Sequence, residues 1–304
     1  MLTVSNYHYI REDFSAPYPS IFGVTPSAFK QQLKLLKNEG DLISPTEFLE
    51  NYDELVSSKE NFFVLTFDDG LKEQFDFALP ILDELGMQAI FFANSINTEK
   101  SCLSTVHKIH LLRSIISSNE LLNYLKAEKI DMLTQQELEQ AKLIYRFDNI
   151  ESAHLKYLLN FKISFDIQES LVKSIFDSYF SESEIMESLY MSTSQLRCLA
   201  NMNCLGSHTH THYPLALLSE EKLIYELEHS KKYLENISGT IIKMVAYPYG
   251  TEDACNSKVA EIAYKTGYSY GFTTRKGIID DNQNKLLLNR FDCNDLIGGK
   301  NFKL

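Results

Sequence analysis

Residues 62–70 have the sequence Phe-Phe-Val-Leu-Thr-Phe-Asp-Asp-Gly, a continuous apolar run followed by two carboxylates and a glycine. An uninterrupted run of β-favouring residues is typical of a strand that is buried on both faces, as in a parallel sheet. A helical pattern follows over residues 71–85, and a second apolar run occupies residues 89–93. Together these segments predict a strand–helix–strand unit with a right-handed crossover.

The same alternation predicts an α/β fold for most of the chain. Further strands are predicted at residues 3–10, 203–206, 241–246, 268–273 and 286–291. Between about 100 and 200 the strand signals fade, helix-capping patterns recur and no glycine occurs. We therefore expect one domain over residues 1–304, interrupted by a helical insertion at about 100–200 that covers the active site or makes a homodimer contact. Alternation alone does not distinguish an open doubly wound sheet from a barrel.

Composition and charge exclude several classes of protein. The 304 residues are 44% hydrophobic and 23% charged, which excludes a disordered chain, and the net charge of −12 argues against nucleic-acid binding. Apolar runs are too short to span a bilayer, so no integral membrane segment is expected. The first residues lack the pattern of a secretory signal, so we expect a cytoplasmic protein.

The adjacent carboxylates Asp68 and Asp69 are the first candidate site. They follow a predicted buried strand, and ligand sites of α/β sheets gather at the carboxyl ends of strands. Neighbouring side chains of an extended chain point to opposite faces, so both can serve one site only if the chain turns, which Gly70 permits. One carboxylate could then bind a metal while the other acts as a base. The alternative is that both merely cap the following helix.

A histidine cluster is the second candidate. His208, His210 and His212 alternate with threonines. On a straight strand His208 and His212 would lie about 13 Å apart, at about 3.3 Å per residue, too far to share one zinc ion. A short helical turn would bring them together and point His210 outward, and Asp69 would be a natural third ligand. The alternative is a polar loop with coincidental histidines.

Together these motifs resemble the polysaccharide deacetylase family, carbohydrate esterase family 4. Its TFDDG motif matches residues 66–70, and its H-[ST]-x-x-H motif matches residues 208–212. A third motif, commonly R-x-P-[YW], is partly matched at residues 246–249, where Ala246 replaces the arginine. The resemblance implies a distorted (β/α)7 barrel with a helical insertion.

The resemblance also implies a metal-dependent reaction. One divalent metal ion, with zinc as the first choice, would be bound by Asp69, His208 and His212. Asp68 would be the general base for a metal-bound water. A backbone N–H near Tyr249 would help to form the oxyanion hole. The implied activity is removal of an N-acyl group, N-acetyl above all, from a sugar or glycan precursor.

Two departures from the family concern the general acid and the substrate contacts. The family's late L-x-H histidine is absent from residues 286–292, so we expect His8, near the end of the first predicted strand, to protonate the leaving amine. Tyr247, Pro248 and Arg290 are candidates for substrate binding, with a structural ion pair as the alternative for Arg290. These departures leave two other functions open: a hydrolase of a non-sugar amide or ester, and a carbohydrate-binding relative without turnover.

Overall fold

The computed structural model describes residues 1–145 and 148–303. The chain forms two compact units. The first comprises Met1–Asp13, Gly23–Cys102 and Met186–Leu304, and the second comprises Phe14–Phe22 and Leu103–Ile185. The expectation of one domain over residues 1–304 stays a prediction.

The first unit is built on one parallel sheet. Its strands are β1 (Leu2–Tyr7), β2 (Asp41–Leu42), β3 (Phe62–Phe67), β4 (Ile90–Ala93), β5 (Leu205–Ser207), β6 (Met244–Ala246), β7 (Tyr270–Phe272) and β8 (Phe291–Asp292). They are ordered β7-β6-β5-β4-β3-β1-β8, and β2 pairs with the start of β3. In the central pair, Leu2 to Tyr7 align with Phe62 to Phe67 without a break.

The sheet is curled, because side chains from strands that are not neighbours meet on one face. The rings of Phe92 in β4 and Phe272 in β7 lie 5.4 Å apart between centroids. A parallel bridge between Phe272 and Leu288 connects β7 to the segment that leads into β8. The predicted distorted (β/α)7 barrel is confirmed.

Thirteen α-helices accompany the strands. They are α1 (Pro26–Glu39), α2 (Pro45–Ser57), α3 (Leu79–Leu85), α4 (Ser95–Glu99), α5 (Thr105–Ile115), α6 (Ser118–Ala127), α7 (Gln135–Ile144), α8 (Ile150–Tyr157), α9 (Phe165–Phe176), α10 (Glu182–Leu189), α11 (Thr193–Asn201), α12 (Glu220–Ser238) and α13 (Ser257–Lys265), counted over the described residues. None of these helices is both long enough and apolar enough to cross a membrane.

Two apolar clusters account for the continuous hydrophobic strands. One face of the sheet buries Val64, Phe92 and Phe272 together with Phe48 of α2. The other face buries residues such as Phe67 against α1, α3, α11, α12 and α13. A strand covered on both faces has no reason to alternate polar and apolar residues, which explains the run at residues 62–67.

The second unit is helical and contains α5 to α9. Its core is formed by aliphatic residues of α5, α6, α8 and α9, among them Leu112, Leu125 and Leu155. The segment Phe14–Phe22 joins this unit through Ser20, whose hydroxyl donates to the carbonyl of His110 at 2.8 Å. The roles expected for the insertion, covering the active site or forming a homodimer contact, stay predictions.

Element bounds differ from the predictions in short stretches. The predicted helix over residues 71–85 begins as a π-helical turn, Gln74–Ala78, before α3. Strands β6 and β7 have three residues each, although six were predicted for each. The two-residue strand β2 was not predicted, because two residues carry no periodicity.

Candidate active site

The two aspartates lie on a sharp turn at the end of β3. The backbone N–H of Asp68 still continues the sheet by donating to the carbonyl of Tyr7 at 3.0 Å. Asp69 and Gly70 then adopt left-handed conformations, with φ of 79° and 64°. The turn breaks the alternation of the strand, as the sequence predicted that it must if both carboxylates are to serve one site.

Gly70 allows a test of this turn. An alanine there would keep a positive φ, and its Cβ would lie 2.9 Å from the Cβ of Ala93. We expect Gly70→Ala to lower the free energy of unfolding by about 2–4 kcal/mol, through backbone strain and this contact together. Urea unfolding would measure the change.

A matched control separates the two causes. Gly86 has nearly the same φ, 65°, but a Cβ added to it would meet nothing within 4 Å. Gly86→Ala should therefore show the strain alone, about 1–2 kcal/mol. Equal losses in the two variants would contradict the predicted contact with Ala93.

The histidine segment follows β5 as a loop, and the predicted helical turn is wrong. The backbone N–H of His208 donates to the carbonyl of Ala93 at 2.8 Å, and Thr209 and His212 then adopt φ of 66° and 65°. These two left-handed residues fold the loop back, so that the rings of His208 and His212 lie 5.0 Å apart between centroids. His210 is 4% exposed, so it does not point outward as expected.

The carboxylate of Glu226 in α12 holds this loop. It accepts hydrogen bonds from the N–H of His210 at 3.0 Å and from the N–H of Thr211 at 2.8 Å. The hydroxyl of Thr211 donates to the same carboxylate at 2.6 Å. The sequence analysis missed Glu226, because one glutamate on a helix gives no signal of what it contacts.

Asp69, His208 and His212 converge as predicted. Oδ1 of Asp69 lies 3.4 Å from Nε2 of His208 and 3.2 Å from Nε2 of His212, and all three side chains are buried. Ligand atoms bound tetrahedrally to zinc at 2.0–2.1 Å are separated by about 3.3 Å. The donor set and its spacing therefore fit a zinc-like divalent ion.

The orientation and charge of His208 also suit a cation. Its Nδ1 lies 2.8 Å from the carbonyl of Ala246, which only accepts, so Nδ1 carries the proton and Nε2 is left as a ligand. Burial would lower the pKa of His208, but the charges of Asp68 and Asp69 outweigh burial and raise that pKa. The same negative field would favour a bound metal ion.

Asp68 is held by a buried arginine. Nη1 and Nη2 of Arg290 donate to Oδ1 and Oδ2 of Asp68 at 2.8 Å and 2.7 Å, and both side chains are at most 2% exposed. Burial would raise the pKa of Asp68, but Arg290, aided by His208, outweighs burial and lowers it. Asp68 is therefore ionised at neutral pH, as a general base must be.

The sequence segments that form this site match a known protein family. The family model described as polysaccharide deacetylase matches residues 56–133 and 185–271. The chain belongs to the polysaccharide deacetylase family. The two matched segments carry both the aspartate turn and the histidine loop. Membership supports an amide-bond hydrolase that deacetylates sugar polymers.

Solved structures share the fold of this polysaccharide deacetylase. The deacetylase PplD of Streptococcus pyogenes, in complex with acetate, is 19% identical with a TM-score of 0.60, over 96% of this chain and 91% of that chain. IcaB from Ammonifex degensii is 17% identical with a TM-score of 0.57, over 96% and 91%. A de-N-acetylase from Aggregatibacter actinomycetemcomitans is 14% identical with a TM-score of 0.56, over 96% and 95%. No curated protein matches the sequence.

The remaining predicted residues divide between the rim of the deacetylase site and its interior. Nε2 of His8 lies 4.0 Å from Oδ2 of Asp68, and the side chain is 40% exposed. Tyr249 has a φ of 63°, its ring lies 5.3 Å from that of His212, and burial raises the pKa of its hydroxyl. His8 and Tyr249 thus approach different members of the site, His8 near Asp68 and Tyr249 near His212.

Two predicted substrate contacts lie inside the protein instead. Arg290 is 1% exposed and donates to Asp68, so the ion-pair alternative describes it, and it does not line the edge of the site. Tyr247 is fully buried, and its hydroxyl donates to the carbonyl of Leu286 at 2.9 Å. Both side chains support the site from within. Pro248 is buried too, and its contact with substrate stays a prediction.

Gln74 is a further residue that the sequence analysis missed. Its Nε2 donates to the carbonyl of Asp68 at 2.6 Å and to the carbonyl of His8 at 2.9 Å. The side chain is fully buried in the π-helical turn before α3. Gln74 therefore connects the candidate base to the candidate acid through the backbone of each.

Proposed function

We propose that this deacetylase is a metal-dependent hydrolase that removes an N-acyl group, N-acetyl above all, from a sugar unit of a glycan or glycan precursor. The observation that carries the proposal is the convergence of Asp69, His208 and His212 on one point, with the ionised Asp68 next to Asp69. A ligand set with a separate base beside it is the arrangement that metal-assisted hydrolysis requires.

The metal would be a zinc-class divalent ion held by Oδ1 of Asp69 and Nε2 of both histidines. When bound, it would polarise the acyl carbonyl and make a water molecule more acidic. Asp68 takes the proton of the attacking water. Arg290 occupies one lone pair on each oxygen of Asp68, which leaves one on each to accept that proton.

Tyr249 and His8 complete the proposed machinery. The backbone N–H of Tyr249, in a left-handed residue beside His212, is the proposed donor to the tetrahedral oxyanion. His8 is the proposed general acid, which protonates the departing amine. Its 40% exposure allows solvent to restore the proton after each turnover.

A cavity next to the aspartate turn is the proposed place of the sugar, and its lining does not include Asp68, Asp69, His208 or His212. Its volume is about 650 Å³, and Lys72, Asn97, Tyr190 and Gln195 are among its lining residues. Met191, which also lines the cavity, connects it to the aspartate turn, because its backbone N–H donates to the carbonyl of Gly70 at 3.0 Å. Amide and hydroxyl side chains suit the hydroxyls of a sugar. The acetate in the PplD complex and the name de-N-acetylase favour acetyl as the acyl group.

Acetate release tests the function directly. Purified protein would be loaded with zinc and incubated with N-acetylglucosamine oligomers, with a nucleotide-linked N-acetylhexosamine, and with simple amide and ester substrates. Acetate from either sugar class supports the proposal. Turnover confined to non-sugar amides or esters would favour a hydrolase with a different substrate. Sugar binding without any turnover would favour a carbohydrate-binding relative that is not an enzyme.

His8→Gln tests the proposed acid. We expect kcat to fall by about 10²–10⁴-fold, because general acid catalysis contributes on that order. The pH profile of kcat should change as well, because the proposed general acid is removed. Zinc content should not change, since His8 contacts Asp68 and none of the three ligands.

His154→Gln is the matched control, because His154 of α8 forms no hydrogen bond or ion pair with Asp68, Asp69, His208 or His212. It should leave kcat and the pH profile unchanged. Full turnover of His8→Gln with an unshifted pH profile would exclude His8 as the acid.

A further inference from the structure

A second group of metal-ligating side chains lies outside the candidate active site. Glu99 ends α4, His210 lies in the histidine loop, and His229 lies in α12. One ligand atom from each lies within 4.8 Å of the other two. Oε2 of Glu99 is 2.7 Å from Nε2 of His229 and 3.8 Å from Nδ1 of His210.

The two imidazoles are held face to edge around that carboxylate. Their ring centroids lie 4.5 Å apart with an interplanar angle of 72°. The ring of Tyr225 stacks on His229 at 4.7 Å, and Oγ of Ser95 lies 2.8 Å from Nδ1 of His210. His210 is 4% exposed, whereas the side chain of His229 is 30% exposed, so solvent reaches the cluster from one side.

We propose that Glu99, His210 and His229 form a second divalent-cation site of the zinc class. Two imidazole nitrogens and a carboxylate oxygen are ligands that zinc prefers. The 2.7 Å separation is a hydrogen bond between His229 and Glu99, which a bound ion would replace. The ligand atoms, now 2.7 Å and 3.8 Å apart, would then move to the spacing of about 3.3 Å around a tetrahedral ion. The exposed edge of His229 provides the route by which an ion enters.

The site would fix the histidine loop. His210 lies between His208 and His212, and its partners belong to two different helices. An ion there would tie the loop to α4 and α12, in addition to the hydrogen bonds that Glu226 accepts from it. The role is one of positioning, because no residue of the cluster is among the ligands or acid–base groups of the proposed reaction.

Zinc stoichiometry tests the proposal without any need for activity. Protein stripped with a chelator would be re-equilibrated with zinc chloride, desalted, and measured by elemental analysis. We expect two zinc ions per chain in the wild type, one in Glu99→Gln and one in His229→Asn. Asp69→Asn should also hold one, and the double variant Asp69→Asn/His229→Asn none. Glu228→Gln, an exposed neighbour that pairs with Lys232, is the control and should hold two.

The outcomes separate this site from the first one. One zinc in the wild type that Asp69→Asn abolishes and His229→Asn retains would overturn the second site, leave the proposed function intact, and identify the cluster as a hydrogen-bond network. One zinc that His229→Asn abolishes and Asp69→Asn retains would support the second site and contradict the first. Two zinc ions in both Glu99→Gln and His229→Asn would also overturn the proposal.

Discussion

Replacing Asp69 with asparagine is expected to lower the turnover of an N-acetylated sugar by about 10³-fold or more and to remove one zinc ion per chain. Lewis-acid stabilisation of a transition state is worth several kcal/mol, and about 4 kcal/mol corresponds to 10³-fold. Asp69 is the one carboxylate of its cluster, with Oδ1 within 3.4 Å of both histidine nitrogens. Asparagine keeps the volume and removes the charge.

The measurement combines acetate release with elemental analysis. Asp83→Asn is the matched control, because Asp83 is an exposed aspartate of α3, and it should match the wild type in both assays. An Asp69→Asn protein with a full complement of zinc and undiminished turnover would place the reaction at another site.

Replacing Asp68 with asparagine is expected to lower kcat by about 10²–10⁴-fold while zinc is retained, because the base is lost and the ligands are kept. The free energy of unfolding should fall as well, by about 3–5 kcal/mol. Arg290 is 1% exposed, so the substitution leaves a buried guanidinium without its counter-charge. Steady-state kinetics and urea unfolding measure the two effects.

A double-mutant cycle identifies the cause of the stability loss. Arg290→Met should cost about as much as Asp68→Asn, because it leaves the carboxylate buried without its partner. The variant that carries both substitutions should lose much less than the sum of the two. Arg290→Lys keeps the positive charge but loses the bidentate geometry. Its free energy of unfolding should lie between those of the wild type and Arg290→Met. Additive losses would show that the two side chains are not energetically coupled.

The sequence predicted the parts of the fold that depend on local patterns. The strand over residues 62–67 was placed correctly, because a strand covered on both faces is continuously apolar. Among the capping patterns predicted between about 100 and 200, those at Thr134 and Ser192 each begin a helix as their spacing indicates. Strands β6 and β7 were predicted too long: Ile242 and Tyr268 are buried outside the strands, and Ile241 is 73% exposed.

The residues that converge at the candidate metal site could be predicted, but not the way in which the chain brings them together. Spacing and residue type identified Asp69, His208 and His212, whereas the loop geometry depends on left-handed backbone at Thr209 and His212. Left-handed backbone is uncommon for every residue except glycine and is an outlier for β-branched threonine, so the local sequence does not predict it at Thr209. Contacts made far along the chain stabilise it instead, such as those to Glu226.

The pairing of Asp68 with Arg290 has a consequence for the order of events during synthesis. The two residues are 222 positions apart in the chain. At about 5–20 residues per second, a ribosome needs roughly 10–45 s to travel from one codon to the other. Throughout that interval the nascent polypeptide has its aspartate but lacks the guanidinium that orients it. The ion pair between Asp68 and Arg290 can therefore form only after nearly all strands of the barrel have been translated.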